Sequence, residues 1–441
     1  MPDAGASRAG HPVDELLPPG RLFAYGLQHV LAMYAGAVAV PLIVGGALGL
    51  SEEQLVYLIN ADLFTSGLAT LLQTLGLWKF GVRLPVIQGV TFAAVSPMIL
   101  IARQGGLPTV YGAIIIAGAI TLLFAPHASR LLRLFPPVVT GSIITLIGLS
   151  LLPVAVRWAG GGNPASPEFG APRHLGLAFA TLALVLLYKR VLRGFLRSIA
   201  VLLGLVSGML LAAPLGLVHL QGVAGAHWFG VTTPFAFGWP RFDVAAILAM
   251  TLVMLVVMVE STGDFMALGE IVGRPLDEKI LAAGLRADGL STLLGGVLNA
   301  FPYTAYAQNV GLVALTQVRS RYVVAVAGAL LMLLGLFPKA AALVAAIPLP
   351  VLGGAGLVMF GQVAASGIET LGRVSFEGEA GRRRALLVGT SLAVGLIPVG
   401  AEGFYKHVPG WLEVLLHSGI TAGSLAAILL HLLLGGGEEA A

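Results

Sequence analysis

Stretches of about twenty apolar residues, separated by short loops of Gly, Pro and Arg, recur along the whole chain. They fall at about 24–48, 54–76, 86–103, 110–126, 135–156, 174–188, 198–219 and 243–272. A second series falls at about 280–299, 303–316, 322–346, 349–370, 384–400 and 414–434. Runs of that length suit helices that satisfy their own backbone in lipid; a membrane barrel would show short alternating strands instead. The pattern predicts an all-α integral membrane protein of about fourteen crossings, with both termini on one side.

Composition agrees and narrows the class. The 441 residues are 57% hydrophobic and only 10% charged, too apolar for a soluble domain. A net charge of +4 invites a nucleic-acid reading, but the basic residues sit in short clusters between apolar spans, where they set orientation. No nucleic acid is therefore expected as a partner, and the lipid bilayer is. The chain has no cysteine, which excludes disulfide and thiolate chemistry. Residues 1–21 are polar and lack an apolar core of signal-peptide type, so they read as a cytoplasmic tail.

Lys79 and Arg83, Arg130 and Arg133, Lys189, Arg190, Arg193 and Arg197, Arg319 and Arg321, and Arg373 with Arg382, Arg383 and Arg384 all fall in alternate loops. The positive-inside rule makes those loops cytoplasmic. The Gly/Pro-rich loop after Arg157 and the aromatic loop His227-Trp-Phe-Gly-Val-Thr-Thr-Pro-Phe then lie on the other face. Both read first as plain connectors.

Two spans are interrupted. Pro85-Val-Ile-Gln-Gly-Val-Thr-Phe-Ala-Ala-Val-Ser-Pro97 and Pro302-Tyr-Thr-Ala-Tyr-Ala-Gln-Asn-Val-Gly each begin with Pro, then carry a polar Gln, and hold Gly. Each is the third span of its half, and paired broken segments mark the midplane site of transporters built from inverted repeats. Each is expected to start extended and turn helical halfway, leaving helix N-terminal N–H groups for a ligand.

Few polar groups lie at membrane depth: Gln28 and His29 in the first span, Glu260 and Asp264 in the eighth, Asp288 in the ninth, Gln308 and Asn309 in the tenth. Intramembrane ionisable groups are costly and usually line a substrate or proton path, so the chain reads as a transporter. None is a nucleophile with a partnered base. Together they suit a planar heterocycle with alternating donors and acceptors: a carboxylate accepts from ring N–H groups and a Gln amide offers one donor and one acceptor. Phe92 can cover the ring face. Glu260 also suits proton coupling, because burial disfavours its charged form while a bound N–H favours it. The plainer alternative is that one buried carboxylate ties helices together, and a single histidine such as His29 is more often a satisfied core residue. Asn60 and Asp62 read as structural, and Gly204 with Gly208 as a helix-packing pair. No Walker loop, dinucleotide fingerprint or metal-ligand spacing appears, so no cofactor is expected and ATP-driven transport by this chain alone is disfavoured.

The run Gln308-Asn-Val-Gly-Leu-Val-Ala-Leu-Thr316 resembles the signature of the nucleobase–ascorbate transporter family, also called nucleobase:cation symporter family two. Gly26-Leu-Gln-His-Val-Leu-Ala-Met, Gln88-Gly-Val-Thr-Phe-Ala and Val259-Glu-Ser-Thr-Gly-Asp extend the resemblance over residues 20–435. It implies two inverted repeats of seven helices, with half-helices at spans 3 and 10. It also implies a core domain from residues 22–134 and 243–347 and a gate domain from residues 135–242 and 348–435, followed by a tail at 436–441. The substrate would sit between the half-helices, held by Glu260 and Gln308 and framed by Phe92, Thr91 and Tyr306. His29, Asp264, Asp288, Asn309 and Gln28 would form the supporting and coupling network. Such proteins resemble homodimeric elevators in the cytoplasmic membrane, importing a purine nucleobase with H⁺, or else Na⁺, as the coupling ion. Gln308 resembles the xanthine and uric acid branch; Thr91 fits urate-type members and Asp264 xanthine-type ones, so both purines stay open.

Rival readings are a permease for uracil or another nucleobase, and an anion permease or exchanger of the same fold. The second lacks the buried Glu and the Gln-Asn-x-Gly signature. An intramembrane enzyme is disfavoured for want of an activated nucleophile or metal.

Overall fold

The computed structural model describes residues 11–128, 134–401 and 403–434. Arg130, Arg133, residues 1–10 of the first tail and the tail at 436–441 lie outside the described residues.

Helices follow the apolar segments in chain order: α1 (Pro19–Ala47), α2 (Glu52–Leu75), α3 (Val95–Gly105), α4 (Leu107–Phe124), α5 (Pro137–Ala159), α6 (Pro172–Val191), α7 (Ala200–Ala212), α8 (Val244–Val272), α9 (Glu278–Val297), α10 (Ala307–Thr316), α11 (Arg321–Leu334), α12 (Leu349–Leu371), α13 (Gly378–Gly400) and α14 (Gly419–Leu434). Among the described residues nine helices are long and apolar enough to cross a bilayer by themselves. α11 makes a tenth together with the helix Pro338–Ala345, at a bend of 82°. The shorter α7 and α14 and the half-helices α3 and α10 complete a chain that crosses the membrane many times.

Chain chemistry explains the departures from the expected segments. Pro at a first helical position needs no N–H partner, so α1 begins at Pro19 rather than near residue 24. The expected run 322–346 is not one helix, because Pro338 restarts the chain after Gly335 and Phe337. The run 198–219 is helical only over part of its length, ending near Pro214 and Gly216, whose φ is +68°. The run 414–434 is split at Ser418. Residues 11–18 do not trail free as a tail. Val13 is fully buried among Val82, Leu84, Phe265, Leu268 and Leu285. Asp14 pairs with Arg321 at 2.6 Å, and Ser320 Oγ donates to the Glu15 carbonyl.

Packing sorts the helices into two groups. In one, α4 lies on α9, α2 on α11 and α4 on α8, with α1 against α11 and α2. In the other, α12 lies on α5, α6 and α7, and α13 on α14 and α5. Exchanging each span for the one seven places away turns the α4–α9 contact into the α11–α2 contact and maps α5–α12 onto itself, the signature of an internal two-fold repeat.

Close approach by glycine makes these contacts possible in a chain without a hydrophobic drive between helices. A Cβ on Gly118 would stand 2.6 Å from the Leu293 nitrogen, and one on Gly67 would run into the Gly328 carbonyl. The spacing of Gly204 and Gly208 serves the same end, the two facing Val185 and Thr181 of α6.

Candidate functional site

The two interrupted spans meet. Gln88–Val90 forms β1 and Tyr303–Ala305 forms β2, paired antiparallel with Gln88 opposite Ala305, Gly89 opposite Thr304 and Val90 opposite Tyr303. The ladder extends at both ends, Thr91 N donating to the Pro302 carbonyl at 3.0 Å and Tyr306 N to that of Ile87 at 3.2 Å. Every strand residue is buried. Unwound backbone can exist at membrane depth only when protein satisfies it, and here each broken span satisfies the other. The extended starts were legible from Pro and Gly; the pairing between them was not.

Side chains from neighbouring helices hold this crossing. Ser66 Oγ donates to the Gln88 carbonyl, and Gln88 N donates to Thr70 Oγ1 at 2.9 Å. From α8, Ser261 Oγ accepts from Ala305 N at 3.2 Å and lies 3.3 Å from Thr304 Oγ1. Tyr306 lays its ring over Gly89, where a Cβ would stand 2.5 Å from Cζ, and its hydroxyl donates to the Val90 carbonyl at 3.0 Å.

From this crossing α3 and α10 leave in opposite senses, each presenting an N-terminus to the middle of the fold. The α3 side is closed by Thr91, whose Oγ1 accepts from Ala93 N at 3.2 Å and starts a short 3-10 turn, Phe92–Ala94. No side-chain cap among the described residues closes the α10 side, and Ala307, Gln308 and Gly311 are exposed. That leaves N–H donors and a Gln amide facing open space, with the positive end of the helix dipole behind them.

The carboxylates approach from α8 and α9. Glu260 precedes Ser261, which touches β2, and is partly buried. Asp264 lies one turn on, with Oδ2 buried and unpartnered among the described residues. Asp288 is fully buried; Gln73 Nε2 donates to its Oδ1 at 2.6 Å, while Ser261 and Gln88 face it. Glu260, Asp264 and Asp288 are near enough to feel one another's charge. On the far side, Asn309 Nδ2 lies 3.0 Å from His29 Nδ1 and donates to the His29 carbonyl, tying α10 to α1. Gln28 is partly buried beside it. Phe92 is partly buried and meets Phe360 of α12 edge-on, with centroids 5.8 Å apart.

Of the residues picked from the sequence, Thr91 and Tyr306 join the crossing itself, and Glu260, Asp264 and Asp288 stand on the two helices, α8 and α9, that pack against β2. Glu260 and Phe92 are partly buried and Gln308 is exposed. Thr91 and Tyr306 spend polar atoms on backbone, so they shape the floor. Asp288 and the His29–Asn309 pair lie behind. Gln73, Ser66 and Thr70 went unread, although a run such as Thr65-Ser-Gly in an apolar span is a signal that could have been used, and Gln88 and Ser261 were read only as members of their motifs. Both amide atoms of Gln88, Asp288 Oδ2 and Asn309 Oδ1 are buried without partners among the described residues.

Two solved structures with this architecture are distant in sequence. The transmembrane domain of the cyanobacterial bicarbonate transporter BicA aligns over 95% of this chain and all of that one, with a TM-score of 0.59 at 14% identity. Murine Slc26a9, an anion transporter in the inward-facing state, gives 0.62 at 12% identity over 95% of this chain and 68% of that one. These likenesses show the fold alone. Sequence relatives are much nearer. The uric acid transporter UacT of Escherichia coli K12 is 50% identical over 98% of this chain and 90% of its own length. The uric acid permease PucK and the xanthine permease of Bacillus subtilis 168 are 48% and 46% identical, covering 93% and 94% of this chain and 95% and 93% of their own lengths. With residues 20–402 matching the permease family and such relatives along nearly its whole length, the chain belongs to the nucleobase–ascorbate permeases, transporters rather than enzymes.

Proposed function

We propose that the protein imports a purine nucleobase, xanthine or uric acid, across the cytoplasmic membrane in symport with H⁺. One observation carries this reading: the uncapped N-terminus of α10, with Gln308 exposed on it, starts from a crossing of two broken spans to which α8, the helix that carries Glu260, is tied through Ser261. The carboxylate accepts from ring N–H groups, and the Gln308 amide and helix N–H groups meet ring oxygens and nitrogens on the other edge. Phe92 covers one ring face. The names of these relatives favour the same substrates.

Coupling follows from the same carboxylate. Glu260 passes between a neutral form that crosses a low-dielectric site at least cost and a charged form, so the proton and the base are handled by one group. Movement is assigned to the two helix groups: α1–α4 with α8–α11 carry the site as a core, and α5–α7 with α12–α14 form the gate it slides against and the contact of a homodimer. Phe92 against Phe360 is a contact between the two groups. The basic loops support a cytoplasmic location for both termini.

The test is uptake of radiolabelled xanthine and uric acid into proteoliposomes under an inward H⁺ or Na⁺ gradient, competed by uracil. Accumulation driven by H⁺ alone and indifferent to uracil is expected. Accumulation driven only by Na⁺ overturns the coupling assignment, and none of either purine overturns the substrate.

A further inference from the structure

Asp62 lies in the middle of α2, is its one fully buried carboxyl group, and has no part in the transport reading above. Its Oδ1 accepts from the Tyr303 hydroxyl at 2.9 Å, and its own carbonyl oxygen lies 3.0 Å from the same hydroxyl. No Lys, Arg or His among the described residues is paired with it, and Oδ2 has no partner. A carboxyl group with no cation beside it is used here as an acceptor.

Tyr303 is the first residue of β2 and is fully buried. Its backbone N donates to Thr292 Oγ1 at 3.2 Å, so both ends of the residue are held from outside the strand. β2 is three residues long. So short a strand has few ladder bonds to define its register, and a slip of one residue would turn every side chain to the opposite face. Tyr303 reaches Asp62 in one register only. In that register Tyr306 falls over Gly89, and α10 starts at Ala307 with Gln308 on the open side.

We propose that Asp62 is a positioning residue: through the Tyr303 hydroxyl it pins the register of β2 and thereby the placement of Gln308 and the α10 N-terminus. The link from Asp62 to the pocket runs through Tyr303 and five residues of chain, and Asp62 touches no substrate. Its acceptor oxygen, not its charge, does the work. The inference rests on the substrate reading only for its effect on affinity; the pin itself is a property of the fold.

The experiment uses the full-length protein purified in detergent, with two readouts. One is the dissociation constant for xanthine and for uric acid, and the other is hydrogen–deuterium exchange of the peptide spanning residues 303–308. Tyr303→Phe removes the donor, Asp62→Leu the side-chain acceptor while the Asp62 backbone carbonyl stays, and Asp62→Asn keeps a side-chain acceptor oxygen. Tyr303→Phe and Asp62→Leu are expected to weaken binding about tenfold and to speed exchange across 303–308. Asp62→Asn is expected to stay within about threefold of the parent in both. An Asp62→Asn variant as impaired as Asp62→Leu overturns the proposal by showing that the carboxylate itself is required, and a Tyr303→Phe variant like the parent overturns it outright. Should Asp62→Leu fail to fold, the other two variants still decide. Should the parent bind neither purine, the substrate reading falls while exchange still judges the pin.

Discussion

Glu260 and Gln73 show two ways for a polar side chain to live inside this bundle. Glu260 is partly buried on α8 and is paired with no cation among the described residues, which suits the proposed exchange of protons and ligand. Glu260→Gln keeps the shape and removes the titrating atom, so gradient-driven accumulation of purine is expected to vanish while exchange of internal for external base persists. Accumulation against a gradient by this variant would remove Glu260 from coupling. Gln73 is the opposite case: its amide spans Asp288, the Gly284 carbonyl and Val82 N, at 2.6, 2.8 and 3.0 Å. Gln73→Leu strands all three at once. Each unsatisfied buried group costs about 1–3 kcal/mol, so a marked fall in melting temperature of the purified protein should accompany loss of uptake. An unchanged melting temperature would show that other groups replace the amide.

At the scale of elements, the paired half-spans depend on one missing side chain. Gly89 faces the Tyr306 ring so closely that a Cβ would sit 2.5 Å from Cζ and 2.6 Å from Cε1. The ring cannot back away without giving up its bond to the Val90 carbonyl. Gly89→Ala is thus expected to part β1 from β2 and abolish binding, with overpacking of about 1–3 kcal/mol at the site. Gly361 of α12 has open space where its Cβ would go, so Gly361→Ala serves as the control and should bind like the parent. Measured affinities that rank the two variants alike would refute the close fit. The glycine was visible in the sequence as one of 59; its partner, 217 positions away, was not.

For the whole molecule, the segment before α1 closes one end of the helix group that carries the site. Val13 is buried where α2, α4, α8 and α9 end, and Arg321 reaches from Asp14 to the carbonyls of Thr74 and Leu75, joining α11 to α2. Val13→Asp places an unpaired charge in that apolar cluster, which costs several kcal/mol. Asp14→Asn only weakens a contact whose carboxylate is 41% exposed. Thermal unfolding in detergent should separate the two, with Val13→Asp much the less stable. Equal stability would mean that the segment is dispensable to the bundle.

The sequence by itself determined what lipid demands. Apolar length set the spans, since each must bury its own backbone bonds. Basic loops supplied a topology, and Pro, Gly and Gln marked the two spans that break. Rare polar residues stood out at depth because each is costly there, which is why Glu260, Asp288 and Gln308 could be named before any fold was known. Tertiary structure alone decided what depends on residues far apart in the chain: the pairing of Gln88–Val90 with Tyr303–Ala305, the tie from Gln73 to Asp288, the union of His29 with Asn309, and the burial of Val13 in what reads as a tail. Hydroxyl and amide side chains are cheap at many positions along a helix, so nothing local distinguishes a Ser66 or an Asp62 that holds another span from one that does not. The difference lies in the partner, and the partner is brought there only by packing.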